Sequence, residues 1–109
     1  MAGSTVVVAL TTFGDEETAA AVVRELVERR LVACGTLLPG ARSLYRWQGE
    51  LADAREVLVV LKTTAERVEA LTATLPEVHP YDVPELLVLP VAGGLPAYLA
   101  WVAGEVGGG

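Results

Sequence analysis

Two stretches of this chain carry the same local plan. Val8-Ala9-Leu10-Thr11-Thr12 and Val60-Leu61-Lys62-Thr63-Thr64 each end an apolar, β-branched run, and each leads at once into residues whose apolar positions recur at helical spacing. After the first, Ala19, Val22, Val23, Leu26 and Val27 fall on one stripe; after the second, Val68, Leu71, Leu75 and Val78 do. A strand that feeds a helix twice, with further strand-like runs between and after, restricts the order of elements to β-α-β-β-α-β.

The spacing predicts strand one over 5–12, ending at Phe13-Gly14, and helix one over 15–30. Asp15, Glu16 and Glu17 stand in its first turn and Arg24, Arg29 and Arg30 towards its end, the charge order that the helix dipole favours. Strand two is expected over 31–38, broken by a turn or bulge at Pro39-Gly40 and resumed over 41–48, where Ser43, Tyr45 and Trp47 share one face. A turn at 48–50, an exposed charged arm as far as Glu56 and a third strand over 57–63 follow. Thr63-Thr64-Ala65-Glu66 has capping-box form, with Thr63 at the cap, and Pro76 should bend helix two or make it stop and restart. A stiff loop over 79–84, a fourth strand over 85–91, a short helix over 96–102 and a disordered triple-glycine tail complete a single α+β domain over 1–109, ordered over about 5–104. Two β-α-β halves building one four-stranded antiparallel sheet, with both helices on one face, is the ferredoxin-like plan.

Three of those strands are apolar on both faces, so the second face needs a cover too. Apolar residues make up 52% of the chain. With glycine counted and tyrosine left out the share is about 60%, against roughly 45–50% in an ordinary domain, and a monomer this small hides only about 65% of its unfolded surface. A membrane, a partner protein or further copies of the chain must cover the rest. The nineteen uncharged residues between Glu85 and Glu105 are long enough for a membrane span, but Pro90, Gly93, Gly94 and Pro96 interrupt them. They read as a strand, a turn and a helix, which leaves oligomerisation as the strongest cover.

A net charge of −6 is the wrong sign for a nucleic-acid binder. One cysteine allows no internal disulfide and points to a reducing, cytoplasmic compartment. The apolar run Val6–Leu10 has neither a basic residue before it nor a small-residue cleavage pattern, so no secretory leader is expected.

Motifs for enzyme chemistry are lacking: no phosphate-cradling glycine loop, no Gly-x-Ser-x-Gly elbow and no asparagine at all. Cys34 and His79 could form a thiolate and base pair, but no orienting residue accompanies them. His79 is the only imidazole, in His79-Pro80-Tyr81-Asp82-Val83-Pro84-Glu85. Two prolines stiffen that loop and hold His79, Tyr81, Asp82 and Glu85 together, a donor set for a divalent first-row ion, Cu(II) most tightly. The alternative is that His79 satisfies a loop carbonyl and Glu85 opens a strand. Cys34 is either a buried small hydrophobe or a further metal ligand. Tyr45 and Trp47 form an aromatic face that suits an interface or a ligand platform, and Lys62 either pairs with a carboxylate or awaits an anionic ligand.

LTTFGDEETA, Leu31-Val32-Ala33-Cys34, Leu38-Pro39-Gly40, Ser43-Leu44-Tyr45-Arg46-Trp47-Gln48-Gly49, Leu61-Lys62-Thr63-Thr64, His79-Pro80-Tyr81-Asp82-Val83-Pro84-Glu85 and Tyr98-Leu99-Ala100-Trp101-Val102 follow one another in the order and spacing of the CutA divalent-cation-tolerance family. The chain resembles that family over about residues 5–103. The resemblance implies a ferredoxin-like subunit of a tight, PII-like homotrimer with a role in tolerance to copper and other divalent cations, and no catalytic activity. Some members carry a Cys at the end of strand one and a His pair before Pro-Tyr. Thr11 and Val78-His79 stand there in this chain, which leaves His79, with Cys34 on the neighbouring strand.

Two functional readings follow. In the first, a cytoplasmic homotrimer binds divalent cations at or near its intersubunit clefts through His79, Cys34, Asp82 and Glu85, helped by a trimer charge near −18. In the second, a PII-like signalling trimer binds a small anionic metabolite between Tyr45, Trp47, Lys62 and Tyr81, and its 49–56 arm contacts a partner protein.

Overall fold

The computed structural model describes residues 5–107, so Gly108 and Gly109 of the glycine tail lie outside the described residues. Strand β1 (Val6–Phe13) leads through Gly14 to helix α1 (Glu16–Glu28). Next come β2 (Cys34–Trp47), β3 (Glu50–Thr64), α2 (Ala65–Val78), β4 (Leu87–Pro90) and α3 (Pro96–Val106). The strands form one antiparallel sheet in the order β2-β3-β1-β4, the ferredoxin-like arrangement with the two strands that feed helices at its centre.

Register assigns the faces. Ala9, Thr11 and Phe13 of β1 lie opposite Leu61, Val59 and Val57 of β3, and all six are buried. Onto this side pack Ala19, Val22, Val23 and Leu26 of α1 with Leu71 and Leu75 of α2, forming the main core. Gly35 belongs to it as well. A Cβ there would stand 2.7 Å from a methyl of Val23 and 3.0 Å from one of Leu61, so α1 approaches β2 as closely as it does because this position has no side chain.

Several helix boundaries differ from expectation for local reasons. Asp15 is the N-cap of α1 rather than part of its first turn: its carboxylate accepts from the Thr18 amide at 2.8 Å and from the Thr18 hydroxyl at 2.9 Å. The helix ends at Glu28, and Arg29 and Arg30 lie beyond it, Arg30 in the left-handed conformation at φ 57°. Leu31 and Val32 then both bond back to the Leu26 carbonyl, which holds them off the sheet; Ala33 is the first to reach β3, through its amide to the Lys62 carbonyl at 2.8 Å, and β2 starts at Cys34. In α2 the N-cap is Thr64. The Thr63 hydroxyl is buried and donates to the Leu31 carbonyl at 2.7 Å, so the reciprocal capping box does not form, and Glu66 accepts from the Thr5 hydroxyl instead. Pro76 neither stops nor restarts this helix. It lies in the last turn of a helix that runs unbroken to Val78, and the ladder loses the bond that the missing Pro76 N–H would make to the Thr72 carbonyl.

The largest departure is the 49–56 segment, expected as an unpaired arm. It is the first half of β3 and pairs with β2 from Trp47↔Glu50 to Ala41↔Glu56. Gln48 and Gly49, at φ 52° and 83°, make the two-residue turn that matches strand twist. A register shift between Leu38 and Ala41 places the expected bulge at Pro39-Gly40. The hairpin extends the molecule to 48 Å along its longest axis.

The sheet's other side carries Leu10, Leu38, Leu58, Val60, Leu87 and Leu89 by the same register. Helix α3, longer than expected, covers one end of it through Val102 and Val106 against Val6 and Ala33. Arg30 and Arg67 donate to the Glu105 and Val106 carbonyls at the helix's C-terminal end, where the dipole favours positive charge. The rest of that face stays open in the isolated chain, with Leu38, Leu87 and Leu89 at 44%, 58% and 45% exposure. β4 is shorter than expected, and the uncharged stretch from Leu86 to Gly104 folds as β4, a loop and α3. No helix among the described residues is long and apolar enough to cross a membrane.

Gly35→Ala should lower stability by about 1–3 kcal/mol, the cost of forcing a methyl into a packed core, as read from the midpoint of urea unfolding.

Candidate functional site

Where the loop after α2 passes the end of β1 and the base of the hairpin, it leaves a cleft of ≈ 580 Å³. Strand alternation supplies one wall. Ser43, Tyr45 and Trp47 share a face of β2, and Glu56 points the same way from β3, below Ala52 and Ala54. Tyr81, Asp82, Val83 and Glu85 supply the other wall. The cleft thus joins three aromatic rings to three carboxylates, and no lysine or arginine lines it.

His79 holds this loop in place and lies under it. Its ring is buried and stacks on Phe13 at 4.1 Å between centroids and 16° between planes. Nε2 lies 2.7 Å from the Thr12 carbonyl oxygen, so it is the protonated nitrogen, and Nδ1 accepts from the Tyr81 amide at 3.0 Å. Both ring nitrogens are occupied. Burial lowers the imidazole's pKa below its ordinary 6.5, against smaller opposing effects of the Thr12 carbonyl and the Glu56 charge.

Tyr81 turns its hydroxyl to Glu56 and donates to Oε2 at 2.6 Å. Burial first, and this bond second, push the phenol's pKa well above its ordinary value, so the hydroxyl remains a donor. Glu56 is only 8% exposed. Glu85 is half-buried beside it, and its pKa is raised, mainly by burial and further by the Glu56 charge.

The structure therefore brings together Tyr45, Trp47, Tyr81, Asp82 and Glu85 of the residues singled out in the sequence, and separates the others. Lys62 does not line the cleft: its ammonium donates to the Thr36 hydroxyl at 2.7 Å, six positions along β3 from Glu56, a rise of roughly 20 Å. Cys34 lies opposite Lys62, with Sγ 3.7 Å from the Tyr98 hydroxyl. His79 is bonded at Thr12, four strand positions from the Val8 that Lys62 faces, so roughly 13 Å of strand separates the ends at which Cys34 and His79 sit. One chain forms neither a thiolate and base pair nor a joint metal site from these two. Among the described residues no three His, Cys, Asp or Glu side chains converge as a metal site. Within one chain an anionic metabolite also fits badly, because the cleft offers three carboxylates and no cation of its own.

Glu56 is not among the residues that the sequence singles out, because it closes a charged stretch with the look of an exposed arm. The signal was there: Ala52, Ala54 and Glu56 alternate with Asp53 and Arg55, so a strand register would have turned Glu56 towards Tyr45.

A sequence profile for the CutA1 divalent ion tolerance protein matches residues 7–105. The chain belongs to the CutA1 family. It is 50% identical over 96 residues to the divalent-cation tolerance protein CutA of Pectobacterium atrosepticum, covering 88% of this chain and 87% of that one. Among solved structures, CutA from Xylella fastidiosa superposes with a TM-score of 0.91 at 42% identity, covering 94% of this chain and 99% of that one. The divalent cation tolerance protein of Thermus thermophilus superposes at 0.85 and 42%, covering 89% and 94%. The expected family and α+β fold are both found, and the His79–Glu85 loop and the Tyr45–Trp47 strand fall inside the matched CutA1 region.

Because the folded state holds His79 neutral, the unfolded chain binds the extra proton as pH falls below 6.5, and stability should decline below that value. His79→Gln should flatten this slope in urea unfolding followed across pH. The Glu85 carboxyl has the opposite sign. Its folded form keeps a proton above 4.5, so its contribution disfavours the fold as pH rises out of that range.

Proposed function

We propose that this chain acts in tolerance to divalent cations as a cytoplasmic homotrimer that binds ions weakly and catalyses no reaction. The observation that carries the reading is the cleft: three carboxylates on one concave surface with no cationic side chain among its lining residues. Family membership supports the divalent-cation role, and the open apolar sheet face supports assembly from copies of the chain.

The donor set that fits an ion is one of oxygens. His79 has no free ring nitrogen, which leaves Asp82 and Glu85 at the mouth of the cleft as ligands, with Glu56 adding charge behind them. Carboxylates of this kind take divalent ions with modest selectivity, and Cu(II) remains the tightest of the first-row series on affinity alone. Two carboxylates make a weak site, so further ligands come from water or a neighbouring subunit. A net charge of −6 per chain concentrates cations around the assembly before any specific ligation.

Calorimetric titration with Cu(II) and Zn(II) at neutral pH tests the assignment. Asp82→Asn and Glu85→Gln should each weaken uptake several-fold, whereas His79→Gln, whose amide can keep both backbone hydrogen bonds and so the place of the loop, should bind as the wild type does. Loss of binding in His79→Gln alone would return the ion to the imidazole and overturn the carboxylate reading. Uptake should also fall on acidification, because the raised pKa of Glu85 lets protons compete with the ion.

A further inference from the structure

Glu56 has more than nine-tenths of its surface buried, and its one hydrogen bond comes from a neutral phenol. A single neutral donor does not offset the removal of a carboxylate from water, and the charges of Glu85 and Asp82 nearby add to the cost. No basic residue of the same chain supplies the missing charge. Arg29 pairs with Glu25 and Arg42 with Asp53, while Arg30 and Arg67 bond the end of α3. Arg46 and Arg55 alternate onto the opposite face of the hairpin, and Arg24 belongs to α1 on the other side of the sheet, beside Val27 and Glu28.

Lys62 presents the converse problem. It is the chain's single lysine, half-buried on the same face of β3 as Glu56, and its ammonium is hydrogen-bonded only to the Thr36 hydroxyl. Roughly 20 Å of strand separates the two charges, well beyond the combined reach of their side chains. Between them lie Leu58 and Val60, part of the apolar face that the isolated chain leaves open. One face thus carries an uncompensated cation at one end, uncompensated carboxylates at the other and an apolar middle.

We propose that the Lys62 ammonium of one subunit completes the carboxylate cleft of the next, pairing there with Glu56. The pairing rests on the homotrimer reading above. Opposite charges at opposite ends of one face favour a head-to-tail contact in which every subunit gives its Lys62 end and receives at its Glu56 end, the heterologous interface that closes into a ring. The leucines and valines of the middle supply area without register; the charge pair fixes the register and the direction of the contact. Asp82 and Glu85, nearer the mouth, remain for cations.

A double-mutant cycle with Lys62→Met and Glu56→Gln decides the matter. The readout is the urea concentration at which sedimentation velocity shows the assembly to dissociate. Each single variant should weaken assembly at least tenfold, about 1.4 kcal/mol, and the double variant should lose no more than the more severe single one. Sites roughly 20 Å apart in one chain that do not touch would instead give additive losses, and additivity would overturn the pairing. Lys62→Arg, which keeps the charge, should retain most of the assembly, and its behaving like Lys62→Met would count equally against the pair. A wild-type chain that sediments as a monomer would overturn the homotrimer reading itself, whereas additive losses in an intact trimer would overturn the Lys62–Glu56 contact alone.

Discussion

The pairing of β1 with β3 is the constraint from which the rest of the structure follows. Eight consecutive residue pairs, from Val6↔Thr64 to Phe13↔Val57, join two strands that are apolar on both faces. A sheet of that composition requires two covers. Helices α1 and α2 follow directly from the ends of the same two strands and provide one, which is why the strand-into-helix repeat in the sequence is so informative. The second cover is only begun within the chain, where α3 closes over Val6 and Ala33. The apolar excess therefore has a definite address, the face of Leu10, Leu58 and Val60 with its exposed rim of Leu38, Leu87 and Leu89.

Much of this was legible because it depends on short-range periodicity. The strand and helix order, the stripes of α1 and α2, the bulge at Pro39-Gly40 and the turn at Gln48-Gly49 are each written in a few neighbouring residues. What failed was decided by partners distant in sequence. Leu31 and Val32 look like strand but are held off the sheet by their bonds to the Leu26 carbonyl, and the Thr63 hydroxyl leaves the capping role for the Leu31 carbonyl. The 49–56 segment looked solvated because its charges are dense. Only its pairing with β2 shows that Arg42 and Asp53 meet on one face while Glu56 turns inward on the other.

The candidate site shows the same division. The loop sequence placed Tyr81, Asp82 and Glu85 together, and strand alternation placed Tyr45 beside Trp47. Nothing local could show that these two groups face each other across the end of β1, or that His79 spends both its nitrogens on the backbone. A lone imidazole beside carboxylates suggests a ligand; buried against Phe13 it is a strut that sets the height of the loop. Tyr81 then carries that placement to Glu56 through its hydroxyl, so the geometry of the carboxylates depends on a ring that never touches them.

Burial of Glu56 also links assembly to charge. An ionised carboxylate held under a loop, with one phenol for company, is unfavourable in the isolated chain, and a folding unit of this size has little stability to spare. The apolar face would drive association of many geometries with similar energy, because leucine and valine side chains tolerate sliding. A buried charge does not. It raises the free energy of every arrangement that leaves it without a cation and so narrows the set of assemblies to those that bring one, the way buried polar groups select register in other oligomers at a cost in raw stability. In the proposed assembly, the residue that weakens the single chain is in this sense the one that would make its association specific.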